Sequence, residues 1–174
     1  VESRLKVNVF AIETDDDQLI IASADLTRID YSLLEEVRER AKGKCDIPDV
    51  NKIILHATHT HTAVGYAKTE SRGKRPEHRF FPSDFVYRAA DDSEDYIPET
   101  ECFDFLSEKI SDGIAMAWKL RTEASVGEAF GRAVTGHCRR AVYDDGTAKM
   151  WGIADKATFA ALEAGNDTGV ELLY

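Results

Sequence analysis

One amphipathic stretch separates the apolar run Leu19-Ile-Ile-Ala-Ser-Ala24 from the apolar run Ile53-Ile-Leu55, and that spacing constrains the chain more than any other feature. Both runs have the length and branched residues of strands. The stretch between them sets Leu33, Leu34, Val37 and Ala41 on one helical face, with Ser32-Leu-Leu-Glu35 in the form of a capping box and Gly43 as a stop. A strand–helix–strand unit of this length pairs its strands in parallel through a right-handed crossover. Upstream, Leu5, Val7, Val9 and Ala11 alternate with more polar neighbours and lead into the acidic turn Asp15-Asp16-Asp17, so the first strand forms a hairpin with the second. Downstream, over 101–120, Phe103, Leu106, Ile110, Ile114, Ala117 and Trp118 recur at helical spacing and predict a second helix lying on the sheet. The expectation is an α/β fold: a mixed β-sheet containing a βαβ unit, flanked by two main helices, in a single domain over 1–174.

The remainder reads as strands and turns. Residues 125–134 alternate, Asp144-Asp-Gly146 is a hairpin turn between 139–143 and 149–151, and 170–174 is a last strand. No breaker closes that strand, so the chain is expected to be part of a longer protein. Residues 68–98 are expected as a long loop, basic and aromatic at first and then acidic. Basic residues among aromatics are one mark of nucleic-acid binding. The net charge of -10, from 32 acidic against 22 basic side chains, argues against it and against anionic membranes. No apolar run approaches the roughly 20 residues of a membrane span. The start at Val1 shows no signal-peptide pattern and no Met, which leaves the compartment open. Cys45, Cys102 and Cys138 are odd in number and widely spaced, and read as free thiols rather than a disulfide framework.

The candidate chemistry sits at the end of the third strand. Ile54-Leu-His-Ala-Thr-His-Thr-His-Thr-Ala63 holds three of the five histidines. If the extended backbone continues, His59 and His61 point to one face and His56 to the other. A His-x-His pair is then set to share one ion, at the carboxyl end of a parallel strand where open sheets place ligands. Thr58, Thr60 and Thr62 could supply supporting hydroxyls. The plainer alternative is two polar residues meeting water. His56 is expected to be a hydrogen-bonded packing residue and His78, in the long loop, to be solvated. Asp25 ends the second strand, where it could orient an imidazole or simply lead into the helix. His137 lies in Gly136-His-Cys-Arg-Arg140, beside an arginine doublet able to clamp a carboxylate or phosphate, or in an exposed turn. No Gly-x-Ser-x-Gly elbow, phosphate loop or dinucleotide fingerprint is present.

Asn51-Lys-Ile-Ile-Leu-His-Ala-Thr-His-Thr-His-Thr62 resembles the hallmark of the neutral/alkaline ceramidase family, in which a strand runs into Thr-His-Thr-His-Ser-Gly-Pro. Ile20-Ile-Ala-Ser-Ala-Asp-Leu26 is similar to that family's preceding strand. Gly136-His-Cys-Arg-Arg-Ala-Val-Tyr143 is similar to the segment that carries Asn-Arg-Arg or Asn-Arg-Ser, and Gly169-Val-Glu-Leu-Leu173 to a later strand. The resemblance covers most of the chain in the same order, and its specific part is the histidine motif. It implies a zinc-dependent amidase that cleaves the N-acyl bond of a sphingoid lipid, with His59 as a zinc ligand. His61 would lie beside the metal as a ligand or catalytic group, and Arg139, with His137 near it, would meet the substrate. It also implies that the family's second zinc histidine, its Glu and Tyr ligands and its serine nucleophile follow Tyr174. Thr62-Ala-Val-Gly65 stands where the family has Ser-Gly-Pro-Gly, and Cys138 stands where it has Asn. A second reading, from another class, is a non-catalytic carbohydrate or cell-envelope binding domain. Other metal hydrolases fit less well. The metallo-β-lactamase pattern fails at Ala63 and Val64, where it needs Asp and His, and amidohydrolase barrels carry His-x-His at the start of a much longer chain.

Overall fold

The structure, a computed structural model, describes residues 4–69 and 97–174. The chain groups into two compact units, Val1–Thr122 and Glu123–Tyr174. Most of the expected long loop, with His78, its aromatic residues and its basic residues other than Lys68, lies outside the described residues.

The first unit contains β1 (Val7–Glu13), β2 (Gln18–Ala24), α1 (Tyr31–Lys44), β3 (Ile53–Ala57) and α2 (Glu99–Lys119), with one 3-10 turn (Val50–Lys52) leading into β3. The sheet order is β1-β2-β3. β1 and β2 are antiparallel, with Val7 opposite Ala24 and Glu13 opposite Gln18. β2 and β3 are parallel, with Ile20 opposite Ile53 and Ala24 opposite Ala57. This is the α/β architecture anticipated: a mixed sheet with a βαβ unit and two flanking helices.

Strand alternation decides which side of the sheet the helices cover. Ile20, Ala22 and Ala24 of β2 and Ile53 and Leu55 of β3 are buried in one cluster with Leu33, Val37 and Ala41 of α1 and Phe103, Ile110, Ile114 and Trp118 of α2. Burial of each large aliphatic side chain contributes about 1.5–3 kcal/mol, so this cluster is the main source of stability in the unit. A Cβ on Gly113 would sit 3.4 Å from Val7 and 3.5 Å from Val9, which shows how closely α2 lies on β1. The other side of the sheet places Phe10, Ile21 and Ile54 opposite one another, and Phe10 and Ile54 are exposed there.

Two local expectations change. The capping box does not form: α1 begins at Tyr31 behind Asp30, whose side chain accepts from Arg28 Nε at 3.0 Å instead of capping the helix. Gly43 does not stop the helix, which runs on to Lys44 and closes with Cys45 N–H donating to Ala41 O at 3.2 Å. Ion pairs join the two helices. Arg40 contacts Asp104 at 2.9 Å and Glu108 at 3.1 Å, and Lys44 contacts Glu108 at 2.8 Å and Asp112 at 2.6 Å.

The second unit is built from short antiparallel strands. β4 (Glu128–Arg132) pairs with β8 (Gly169–Leu173), while β5 (Arg140–Tyr143) lies between β6 (Ala148–Met150) and β7 (Phe159–Leu162). The Asp144-Asp-Gly146 turn forms as read: Gly146 takes φ 78° and Asp145 Oδ1 accepts from Thr147 N–H at 2.9 Å. β7 was not foreseen, because Phe-Ala-Ala-Leu lacks the branched residues that mark a strand. No helix among the described residues is long and apolar enough to cross a membrane.

Candidate metal centre

β2 and β3 end side by side, and their last bonds shape the loops that follow. Ala24 O accepts from Thr58 N–H at 2.9 Å, which carries the parallel ladder one residue past β3, and from Leu26 N–H at 2.8 Å. There the extended backbone stops. His59 has φ 63°, in the left-handed region, so the strand does not continue through the motif as the alternation argument assumed. Histidine enters this region more readily than most side chains, at a cost of order 1 kcal/mol.

The loop between β2 and α1 is stitched to the histidine loop at three places. Asp25 Oδ1 accepts from Thr58 Oγ1 at 3.2 Å, while its Oδ2 accepts from Lys6 N–H at 2.9 Å. Thr27 Oγ1 donates to Thr60 O at 2.8 Å. Thr27 O accepts from His59 Nδ1 at 2.5 Å. A carbonyl only accepts, so the ring proton belongs on Nδ1 and His59 Nε2 presents a lone pair. Asp25 thus orients Thr58, the neighbour of His59, rather than an imidazole, and the atom that orients His59 is a backbone carbonyl.

His61 Nε2 lies 3.4 Å from His59 Nε2, and the rings meet edge to face with centroids 4.9 Å apart and planes at 89°. Both residues are exposed. Two nitrogens bound to one tetrahedral zinc at 2.0–2.1 Å are separated by about 3.3–3.4 Å. The donor set and its spacing therefore suit two positions of such an ion, and a histidine whose Nδ1–H is held by a backbone carbonyl is the usual form of an imidazole ligand. Among the described residues no group of three or more His, Cys, Asp or Glu side chains is placed to hold a metal, so the pair stands without a third such partner there.

Other expected residues fall elsewhere. His56 is exposed on the open side of β3, beyond Ile54, and is not the packing residue expected: the alternation that buries Leu55 turns it outward. His137 and Arg139 belong to the second unit, and both are exposed. Arg139 lies 5.6 Å from the ring centroid of Trp151, within cation–π reach, and Arg139 O accepts from Trp151 N–H at 2.9 Å. A cavity of about 320 Å³ in that unit is lined by Tyr143, Lys149, Trp151, Ile153 and Lys156 among others, but by neither His137 nor Arg139. The sequence reading missed Thr27, and nothing in the sequence could have signalled it, because every residue carries a carbonyl.

No protein-family model, curated protein or solved structure matches this chain.

Proposed function

We propose that the chain carries part of the active site of a zinc-dependent amide hydrolase, with His59 and His61 as two of the ligands. One observation supports the reading above the rest. Two imidazole Nε2 atoms lie 3.4 Å apart at the carboxyl end of a parallel strand pair, one with its tautomer fixed by Thr27 O. Both rings are open to solvent, so an ion and a substrate can reach them. Bound there, zinc supplies a Lewis acid that polarises an amide carbonyl and lowers the pKa of an attacking water or hydroxyl. His59 holds its position through Thr27, and His61 shares the ion or takes up a proton from the attacking group. The resemblance to ceramidases supports an N-acyl amide as substrate.

The test is calorimetric titration of the protein with zinc, for wild type, His59→Ala and His61→Ala. The pair alone gives weak binding to wild type, and each substitution lowers affinity at least about tenfold, the scale of loss expected for removing an essential metal contact. Equal affinity in all three proteins would remove the histidines from the site.

A further inference from the structure

The His59 imidazole is held by a loop, and that loop is itself held by a side chain outside the histidine motif. Tyr66 Oη donates to Arg28 O at 2.9 Å and accepts from Asp30 N–H at 3.1 Å. One hydroxyl thus bridges Arg28 and Asp30, and Arg28 adjoins Thr27, which makes two bonds to the histidine loop through its carbonyl and its own hydroxyl. The Tyr66 ring packs against the core, with its centroid 6.4 Å from that of Phe103 in α2. Burial pushes the phenol pKa up, so the hydroxyl keeps the proton it donates. The chain leaves the sheet through His59 and His61 and returns through Tyr66, which ties down the loop that fixes the first imidazole.

We propose that Tyr66 is the positioning residue for His59. It acts through Arg28, Asp30 and Thr27 and holds the ring with Nδ1 protonated and Nε2 free. The tautomer follows from the geometry alone, whereas the consequence for metal affinity rests on the zinc reading above. A half-buried tyrosine that serves only packing would keep its role as phenylalanine. A positioning tyrosine would not, because its effect resides in the hydroxyl.

The test compares wild type with Tyr66→Phe, which keeps the ring and removes both hydrogen bonds. Long-range proton–nitrogen NMR of the metal-free protein at about pH 8, where free imidazole is neutral, reads the His59 tautomer directly. Wild type is expected to hold the Nδ1–H form and Tyr66→Phe to shift toward Nε2–H, the form preferred in water. In zinc titration Tyr66→Phe is expected to bind about tenfold more weakly. Should Tyr66→Phe fail to fold, the wild-type spectrum decides alone: an Nε2–H form of His59 there overturns the proposal. An unchanged tautomer in folded Tyr66→Phe overturns it as well. A tautomer shift in a protein that binds no zinc at all supports the role of Tyr66 and removes the metal reading instead.

Discussion

At His59 a backbone conformation and a side-chain function meet in one residue. Its φ of 63° is a region where a Cβ costs about 1–2 kcal/mol, and glycine pays nothing there. Once the imidazole and its bond to Thr27 O are removed, that backbone cost is what remains to be measured. His59→Gly is therefore expected to be more stable than His59→Ala by about 1 kcal/mol, in unfolding midpoints recorded side by side. Alanine equal to glycine would place His59 outside the left-handed region. The sequence singled out His59 and His61 through a spacing argument whose geometry was different. Alternation along a strand would have brought them together, whereas the chain turns at His59 and the rings still meet at 3.4 Å. What held them was hidden, since a carbonyl on Thr27 and a hydroxyl on Tyr66 depend on how two loops cross and leave no periodic trace.

The α1–α2 pair is fastened by charge as well as by its apolar stripe. The ammonium of Lys44 and the guanidinium of Arg40 hold the Glu108 carboxyl below its ordinary 4.5, and Lys44 holds Asp112 below its ordinary 3.8. Groups whose pKa falls on folding add stability above their unfolded values, and they lose it as pH drops through those values toward the lower folded ones. Wild type is therefore expected to lose stability as acid passes below 4.5 and then 3.8. Lys44→Met is expected to be less stable than wild type near neutrality, with the gap closing in acid. Thermal unfolding across that range checks this, and a gap that stays constant with pH would show that these pairs do not titrate with folding. The carboxylates are half-exposed, so added salt should shrink the same gap. Helix positions were legible because an apolar stripe has a period. Helix ends were not, because α1 starts at Tyr31, which puts Ser32 inside the helix and leaves the cap position to Asp30, whose side chain bonds Arg28.

Across the whole molecule, apolar burial is distributed unevenly. The buried cluster lies entirely within the first unit, while in Glu123–Tyr174 the buried hydrophobic residues are Ala141 and Tyr143. Strands with so little beneath them open locally at low cost. Hydrogen exchange is expected to be at least about tenfold slower in the amides of β2 and α2 than in β5, β6 and β7. Equal protection would mean that the two units unfold as one. The strands of Glu123–Tyr174 were legible only in part, because β7 carries no strand signature. The mixed sheet was legible, because only a crossover accommodates strand, helix and strand at that spacing.

The hydrogen bonds that shape the imidazole pair are made almost entirely by residues between Ala24 and Tyr66, with Lys6 bonded only to Asp25, through its N–H to Oδ2 and its carbonyl to the Asp25 N–H. The pair is thus a local property of one contiguous crossover and not of distant segments brought into register. Rearranging the order of the chain elsewhere, for instance by circular permutation within Glu123–Tyr174, should leave the two nitrogens where they are. Such a cassette can be transplanted whole into another parallel sheet, or inherited whole by one.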